Sequence, residues 1–257
     1  MIDTNVYLSR WPFRRLRGDE TPELVAMLRR AGVTRAWAGS FDALLHKDIG
    51  GVNARLAEDC RRHGDGLLLP FGTVNLSLPD WEEDLRRCHE VHRMPGIRLH
   101  PNYHGYALDH PSFAALLQGA AERGLLVQIA CRMEDVRTQH PLLQVKDVDP
   151  APLASLSVKG LRLMLLNISK PAPGLPFDIA MIERAAGVAN VGTERACFGT
   201  YAPFFLLDAA VLKLEESAVD VSVLDANAAK LETRLAKRAA TVRKNGRTGG
   251  IGRDFRG

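Results

Sequence analysis

Polar side chains able to bind or convert a small anion alternate along two predicted strands. Asp3, Asn5 and Tyr7 alternate in IDTNVYL, at the start of the chain. Arg98 and His100 alternate in GIRLHP. Because alternate residues of a strand share a face, each set is expected to point to one side of its strand. A histidine can move protons near neutral pH, and an arginine can hold a carboxylate through paired hydrogen bonds. We therefore predict one polar pocket built from both sets.

Later segments supply further candidates for the same pocket. Arg132 follows the predicted fifth strand, Asn167 ends LRLMLLN, and Tyr201 lies in FGTYAPFF. Arg137 and His140 lie in the loop after the fifth strand, at a spacing that brings side chains together on one helical turn. Some of these residues also have structural interpretations: Asp3 could satisfy backbone donors, and His140 could cap a loop.

The candidates divide into two predicted roles. The tyrosines would donate hydrogen bonds to a developing oxyanion, the arginines would hold carboxylates, and His100 or His140 would transfer protons. The predicted catalytic residues are Asp3, Tyr7, His100 and Tyr201. The predicted substrate-binding residues are Asn5, Arg98, Arg132, Arg137, His140 and Asn167.

A repeated pattern along the chain must position these residues. A strand-like apolar run followed by an amphipathic stretch recurs about eight times, which is typical of parallel β/α construction. The predicted strands are 2–8, 34–41, 67–74, 96–100, 125–131, 161–167, 175–181 and 195–200. This pattern predicts an α/β fold, a (β/α)8 TIM barrel, in which AAGVANVGTE leaves room only for a curtailed seventh helix. An open doubly wound sheet is the alternative, although no GxGxxG follows an early strand.

Length and composition fit a single domain. The chain has 257 residues, 46% of them hydrophobic and 25% charged, enough to bury a sizeable core. We predict a barrel domain over 1–235 and a basic, flexible tail over 236–257. Residues 234–257 hold eight basic residues and one acidic residue, although the whole chain has a net charge of only +4. No aromatic stacking platform accompanies these charges, so a nucleic-acid partner is not expected.

The sequence also bears on a membrane partner, on the cellular compartment and on cysteine-based sites. No apolar run approaches the roughly 20 residues that span a bilayer, and the first strand follows Met1 directly, so we expect a cytoplasmic protein without a membrane partner. The four cysteines form no CxxC pair, which argues against a disulfide framework or a thiolate zinc site. Oligomeric state stays open, including a homo-oligomer.

The order of several motifs resembles one family. IDTNVYL, GIRLHPNYHGY, LLVQIACRMEDVRTQHP, LRLMLLN and FGTYAPFF are together similar to the amidohydrolase superfamily, in its amidohydrolase-related (type 2) branch. That branch includes lactonases and nonoxidative decarboxylases of small carboxylic acids. The resemblance covers about 1–235 and implies a TIM barrel.

The resemblance also implies where a divalent metal would be held. The histidine pair of the first strand falls on Asn5 and Tyr7, the strand-five histidine on Ala130, and the strand-eight aspartate on Tyr201. A strand-six histidine would lie near Asn167. Alanine offers no donor, and amide and phenol groups are poor substitutes for imidazole or carboxylate. We therefore expect no metal and no other cofactor.

Two functions follow, with a third left open. The first is a metal-independent hydrolase or lyase acting on a small, anionic, carboxylated substrate. The alternative is a catalytically inactive homologue that binds a small ligand or regulates a partner, which fits the lack of a GxSxG elbow or a Ser/His/Asp arrangement. A structural subunit of a larger assembly is the third.

Overall fold

Eight parallel strands form one sheet in chain order, from β1 to β8. A computed structural model describes residues 1–232, so the predicted tail over 236–257 and the end of the domain predicted over 1–235 lie outside the described residues. The strands are Ile2–Leu8 (β1), Arg35–Ser40 (β2), Leu68–Gly72 (β3), Gly96–Leu99 (β4), Leu126–Ala130 (β5), Arg162–Leu166 (β6), Phe177–Asp178 (β7) and Ala196–Cys197 (β8).

The sheet closes on itself between its first and last strands. The backbone N–H of Thr4 donates to the carbonyl of Phe198, and that of Tyr201 donates to the carbonyl of Asn5. Val6 forms a parallel bridge with Ala202. With helices between most strands, this arrangement confirms the predicted (β/α)8 barrel.

Helices cover the outside of the barrel. They are Thr21–Arg30 (α1), Ile49–His63 (α2), Trp81–Glu90 (α3), Pro101–His104 (α4), Pro111–Arg123 (α5), Ala185–Asn190 (α6) and Leu207–Glu216 (α7), and residues 221–232 are also helical. The predicted short seventh helix is confirmed by α6, which has six residues. Between β5 and β6 the chain forms only the 3-10 helix Ala151–Ser155. Within the described residues no helix has the length and apolar character needed to cross a membrane.

The last two strands are much shorter than predicted. The sequence suggested 175–181 and 195–200, whereas β7 and β8 contain two residues each. Beyond Cys197 the chain still bonds to β1 through Phe198, Tyr201 and Ala202, but these bonds do not form a regular ladder. A register shift between Asp3 and Val6 also interrupts the pairing of β1 with β2.

Strand β4 shows how the core is divided. Ile97 and Leu99 are fully buried in the main apolar cluster, together with helix residues such as Phe113. Arg98 lies between them in sequence and points into the barrel, where it is paired in register with Gln128 of β5. The barrel interior therefore contains polar side chains, and these include several of the predicted site residues.

Candidate functional site

Aromatic side chains fill the carboxyl-terminal end of the barrel. We call Tyr7, Trp11, Phe41, Met133 and Tyr201 the aromatic plug, because they belong to one buried cluster and none is more than 2% exposed. The Tyr7 and Phe41 rings stack with centroids 4.6 Å apart, and the Tyr7 and Tyr201 rings meet edge to face at 5.6 Å. This end of the barrel is where catalytic groups usually lie in the fold.

The hydroxyl groups of the plug are bonded within the protein. The Tyr7 hydroxyl lies 3.0 Å from Nε2 of His100, and the Tyr201 hydroxyl donates to the Met133 carbonyl at 2.6 Å. Burial raises the pKa of Tyr7 to about 12 and that of Tyr201 well above its ordinary value. The predicted oxyanion donors thus meet as expected, but their hydrogen bonds go to the protein and no solvent reaches them.

His100 occupies the same sealed region. Besides its contact with Tyr7, its Nδ1 lies 3.4 Å from the Thr73 hydroxyl. Burial, followed by the nearby His104 and Arg98, lowers the pKa of His100 well below its ordinary value. Burial therefore favours the neutral ring in the folded state, and proton transfer by His100 stays a prediction.

Arg98 was expected to hold a substrate carboxylate, and the structure corrects this. Its guanidinium donates to the carbonyls of Val6 and Trp37 at 2.8 and 3.0 Å, and to Gln128 at 2.9 Å. Its carbon Cζ lies 4.5 Å from the centre of the Tyr7 ring. The side chain is fully buried. Main-chain carbonyls, which sequence composition does not reveal, take the place of the expected anion.

A second polar group joins strands β1, β6 and β7. Nδ2 of Asn5 donates to Asn167 at 2.7 Å and to Asp178 at 2.5 Å. The backbone N–H of Asn167, a residue with a φ of 57°, donates to the other Asp178 oxygen. Burial raises the pKa of Asp178 to about 6. Asn5 and Asn167 therefore meet, around the carboxyl group of Asp178.

Asp3 forms a third group with Thr200. The Thr200 hydroxyl donates to Asp3 at 2.6 Å, and the backbone N–H groups of Thr200 and Asn5 donate to its other oxygen. Despite these bonds, burial raises the pKa of Asp3 to about 7. Asp3 thus satisfies backbone donors, as its structural interpretation held, and it also carries a carboxyl group that titrates near neutrality.

Three predicted binding residues lie away from the barrel centre. The Arg132 side chain pairs with Asp147, and Arg137 pairs with Asp135 while remaining 84% exposed. His140 stacks on Phe13 and accepts from a backbone N–H in its own loop. Residues 135–140 form turns instead of a helical turn. The expected convergence of these side chains with Arg98 and His100 is therefore wrong.

An open cleft lies beside the plug. Its volume is about 830 Å³, and it opens among the segments that follow β1, β5, β7 and β8. Its lining includes Arg14, Arg132, Glu134, Met181, Glu183, Thr200, Phe204, Phe205, Leu206 and Lys213. This volume lies in the range of small-molecule sites. Sequence reasoning missed Arg14 and Glu134; the only signal was their position in loops after predicted strands.

The family of the chain follows from its sequence profile. The profile described as amidohydrolase matches residues 10–186, more than half of the chain. The chain belongs to the amidohydrolase-related family. This confirms the predicted superfamily and branch. No curated protein resembles the chain closely enough to count as a match.

Solved structures similar to this amidohydrolase-related chain share its fold at low identity. They include the 2,6-dihydroxybenzoate decarboxylase from Rhizobium, with 13% identity, a TM-score of 0.65 and coverage of 90% of this chain and 99% of that one. A dihydroxybenzoic acid decarboxylase from Polaromonas with bound manganese and 2-nitroresorcinol has 11% identity, a TM-score of 0.65 and coverage of 90% and 96%. The 5-carboxyvanillate decarboxylase from Sphingomonas paucimobilis has 11% identity, a TM-score of 0.64 and coverage of 91% and 98%.

The residues at the ligand positions of this amidohydrolase-related chain do not fit a divalent metal. Tyr7 and Tyr201 are bonded phenols in an aromatic cluster, and Ala130 is packed in the same cluster. Asn5 has an unpartnered Oδ1, but it is one neutral amide, and it is bonded to two carboxyl groups, those of Asp178 and Asp3. In residues 1–232 no three His, Cys, Asp or Glu side chains are grouped to hold an ion. The donor set thus lacks what zinc or manganese requires.

Proposed function

We propose that this chain is a lyase-type enzyme that acts on a small carboxylated substrate bound in the cleft beside the plug. The cleft carries the proposal, because it is an open cavity of ligand size at the carboxyl-terminal face of the barrel. Similar structures belong to decarboxylases of dihydroxybenzoates and 5-carboxyvanillate, which favours lyase chemistry over hydrolysis. The reaction would proceed without the family's divalent metal, since the donors do not fit one.

Asp3 and Thr200 are the groups of this chain best placed to supply a proton. Thr200 lies at the wall of the cleft, although its side chain is buried, and its hydroxyl is bonded to Asp3 at 2.6 Å. Because burial raises the pKa of Asp3 to about 7, its carboxyl group holds a proton through mildly acidic pH. In a decarboxylation the carbon–carbon bond to the carboxylate breaks and carbon dioxide leaves. The electron pair left on the carbon would take a proton from the Thr200 hydroxyl, which Asp3 would replace.

The test is turnover of the acids on which the similar enzymes act. Purified protein would be incubated with 2,6-dihydroxybenzoate and with 5-carboxyvanillate, with and without a chelator, while carbon dioxide release and substrate loss are followed. We expect turnover that survives the chelator and falls by about 100-fold or more in Asp3→Asn, as for loss of a general acid. Turnover that requires added manganese would contradict the metal-independent part of the proposal.

A non-catalytic binding protein is the second candidate. The observation that favours it is the burial of Asp3, Tyr7, His100 and Tyr201, all 0% exposed. A silent binder would be stabilised by carboxylates in a thermal-shift measurement, yet would release no carbon dioxide from any of them. Turnover by the wild-type protein would exclude it.

A further inference from the structure

Two arginines line the cleft, and they differ in which edge of the guanidinium is free. In Arg132, Nε and Nη2 both donate to Asp147. In Arg14, the hydrogen bond in the described part of the chain is from Nη1 to Glu134, at 2.6 Å. The Nε–Nη2 edge of Arg14 is therefore unoccupied. That edge presents two parallel N–H groups, which is the geometry that binds a carboxylate through both oxygens.

Arg14 is held in place by two neighbours. Glu134, whose side chain is 3% exposed, anchors Nη1. The Phe204 ring lies beside the guanidinium, with Cζ 5.1 Å from the ring centre. The Arg14 side chain is nevertheless 48% exposed. An arginine fixed in this way loses less conformational entropy when it binds an anion than a free surface arginine does.

The third cation of the cleft, Lys213, has no free hydrogen-bond donor. Lys213 donates to the carbonyls of Ile179, Ala180 and Ile182 at 2.8 to 3.0 Å, and an ammonium group has only three protons to donate. Burial also lowers its pKa. Of the three cations, Arg14 thus offers the free pair of donors.

Apolar surface beside Arg14 fits the rest of a ligand. Phe205 and Leu206 line the cleft and are 37% and 65% exposed. Met181 lies on the same lining. A flat apolar body could cover these side chains while its carboxylate reached Arg14. Phe205 supplies a ring edge or face for an aromatic body, since aromatic pairs favour offset or edge-to-face contact.

We propose that the cleft binds aromatic carboxylic acids, with the Nε–Nη2 edge of Arg14 on the carboxylate and Phe205 and Leu206 against the ring. This inference rests on the proposed function for its site and adds the residues of this chain that would recognise the ligand. Glu134 is a positioning residue, because it acts through Arg14. The site lies beside the plug and not on the barrel axis.

Binding of benzoate, measured by calorimetry or NMR titration, tests this directly. Arg14→Lys keeps the charge but removes the paired N–H donors of the Nε–Nη2 edge. We therefore expect about tenfold weaker benzoate binding, a loss typical of one good charged hydrogen bond. Benzyl alcohol has the same ring without the carboxylate, and its binding should be unchanged in this variant. Arg61→Lys is the matched control, because Nε and Nη2 of Arg61 are bonded to Glu58 within α2, outside the cleft lining, and it should leave benzoate binding within about twofold of wild type.

Several results would overturn the inference. They are the absence of saturable benzoate binding at millimolar concentrations, equal binding by wild type and Arg14→Lys, and equal losses for benzoate and benzyl alcohol. If Arg14→Lys does not fold, the double variant Arg14→Gln/Glu134→Gln removes both charges of the buried pair and takes its place, with the same expected loss of benzoate binding.

The experiment separates this inference from the proposed lyase activity. Benzoate binding that depends on Arg14, with no turnover of any acid, would support the binding site and reject the lyase. Carbon dioxide release with a KM that is unchanged in Arg14→Lys would support the lyase and reject the role of Arg14.

Discussion

The hydroxyl of Tyr7 and Nε2 of His100 lie 3.0 Å apart in the centre of the barrel, and neither side chain reaches solvent. The two residues come from β1 and from the end of β4, so their contact ties together distant parts of the chain. It belongs to a buried cluster at the face where a barrel enzyme usually keeps its chemistry. At these positions the chain uses its polar groups to bond one another.

Tyr7→Phe should therefore destabilise the fold. The substitution leaves Nε2 of His100 buried without its partner, which costs about 1–3 kcal/mol. Urea unfolding of the variant would measure the loss. Tyr106→Phe is a matched control, because the buried Tyr106 hydroxyl has no partner in the described residues; its removal should be neutral or slightly stabilising. Equal destabilisation by both variants would contradict a specific role for the Tyr7–His100 contact.

The contribution of Asp3 to stability should fall as the pH rises from about 4 to 7. The pKa of Asp3 is raised by burial from 3.8 to about 7 in the folded chain, so in this window the folded state holds a proton that the unfolded state has released. The stabilisation is complete below the unfolded pKa and lost once the pH passes the folded pKa. Its size is on the order of 4 kcal/mol for Asp3. Asp178, with a pKa raised to about 6, acts in the same direction, whereas the buried His100, with a lowered pKa, acts in the opposite direction.

The contribution of Asp3 can be isolated with Asp3→Asn. The amide cannot ionise but can still accept the two backbone bonds and pair with Thr200. The unfolding free energy of this variant, measured from pH 4.5 to 8, should depend on pH clearly less than that of wild type. Asp65→Asn changes a carboxyl group that is 88% exposed and should keep the wild-type dependence. Identical pH profiles for wild type and Asp3→Asn would show that Asp3 does not titrate in this range.

The arginines predicted to bind substrate should differ sharply in their effect on stability. Arg98→Met removes the guanidinium that satisfies the Val6, Trp37 and Gln128 acceptors, and each buried acceptor left without a partner costs about 1–3 kcal/mol. Arg137→Gln breaks an exposed pair with Asp135, so it should leave the unfolding free energy nearly unchanged. Denaturant midpoints of the two variants test this contrast. Similar midpoints would contradict the structural role of Arg98.

The fold could be predicted from the sequence because it depends on repetition. Eight apolar runs alternate with amphipathic stretches, and each run that became a strand pairs with the next one along the chain. The short β7 and β8 escaped prediction, since the length of a strand depends on the hydrogen bonds that it makes with its neighbours. Apolar periodicity indicates which residues are buried but not which backbone groups pair.

The candidate site could be predicted only in part. The meeting of Tyr7 and Tyr201 followed from their places at the ends of β1 and β8, because strand ends converge at one face of a barrel. The exclusion of solvent from these two tyrosines could not be predicted. It depends on Trp11, Phe41 and Met133, which reach the centre from chain segments beyond the strands. The hydrogen-bond partners of Arg98 could not be predicted either, because every residue has a backbone carbonyl and only the fold decides which carbonyls point inward.

Divalent metals should neither stabilise this protein nor copurify with it in stoichiometric amounts. A metal that binds only the folded state raises the melting temperature with its concentration, but Tyr7, Ala130 and Tyr201 offer a packed cluster in place of donors. We therefore expect no shift with zinc or manganese and none with a chelator. The Polaromonas decarboxylase, whose structure holds manganese, is a suitable positive control, because a chelator should lower its melting temperature. Elemental analysis that finds about one zinc or manganese ion per chain, the occupancy of a specific site, would contradict this prediction.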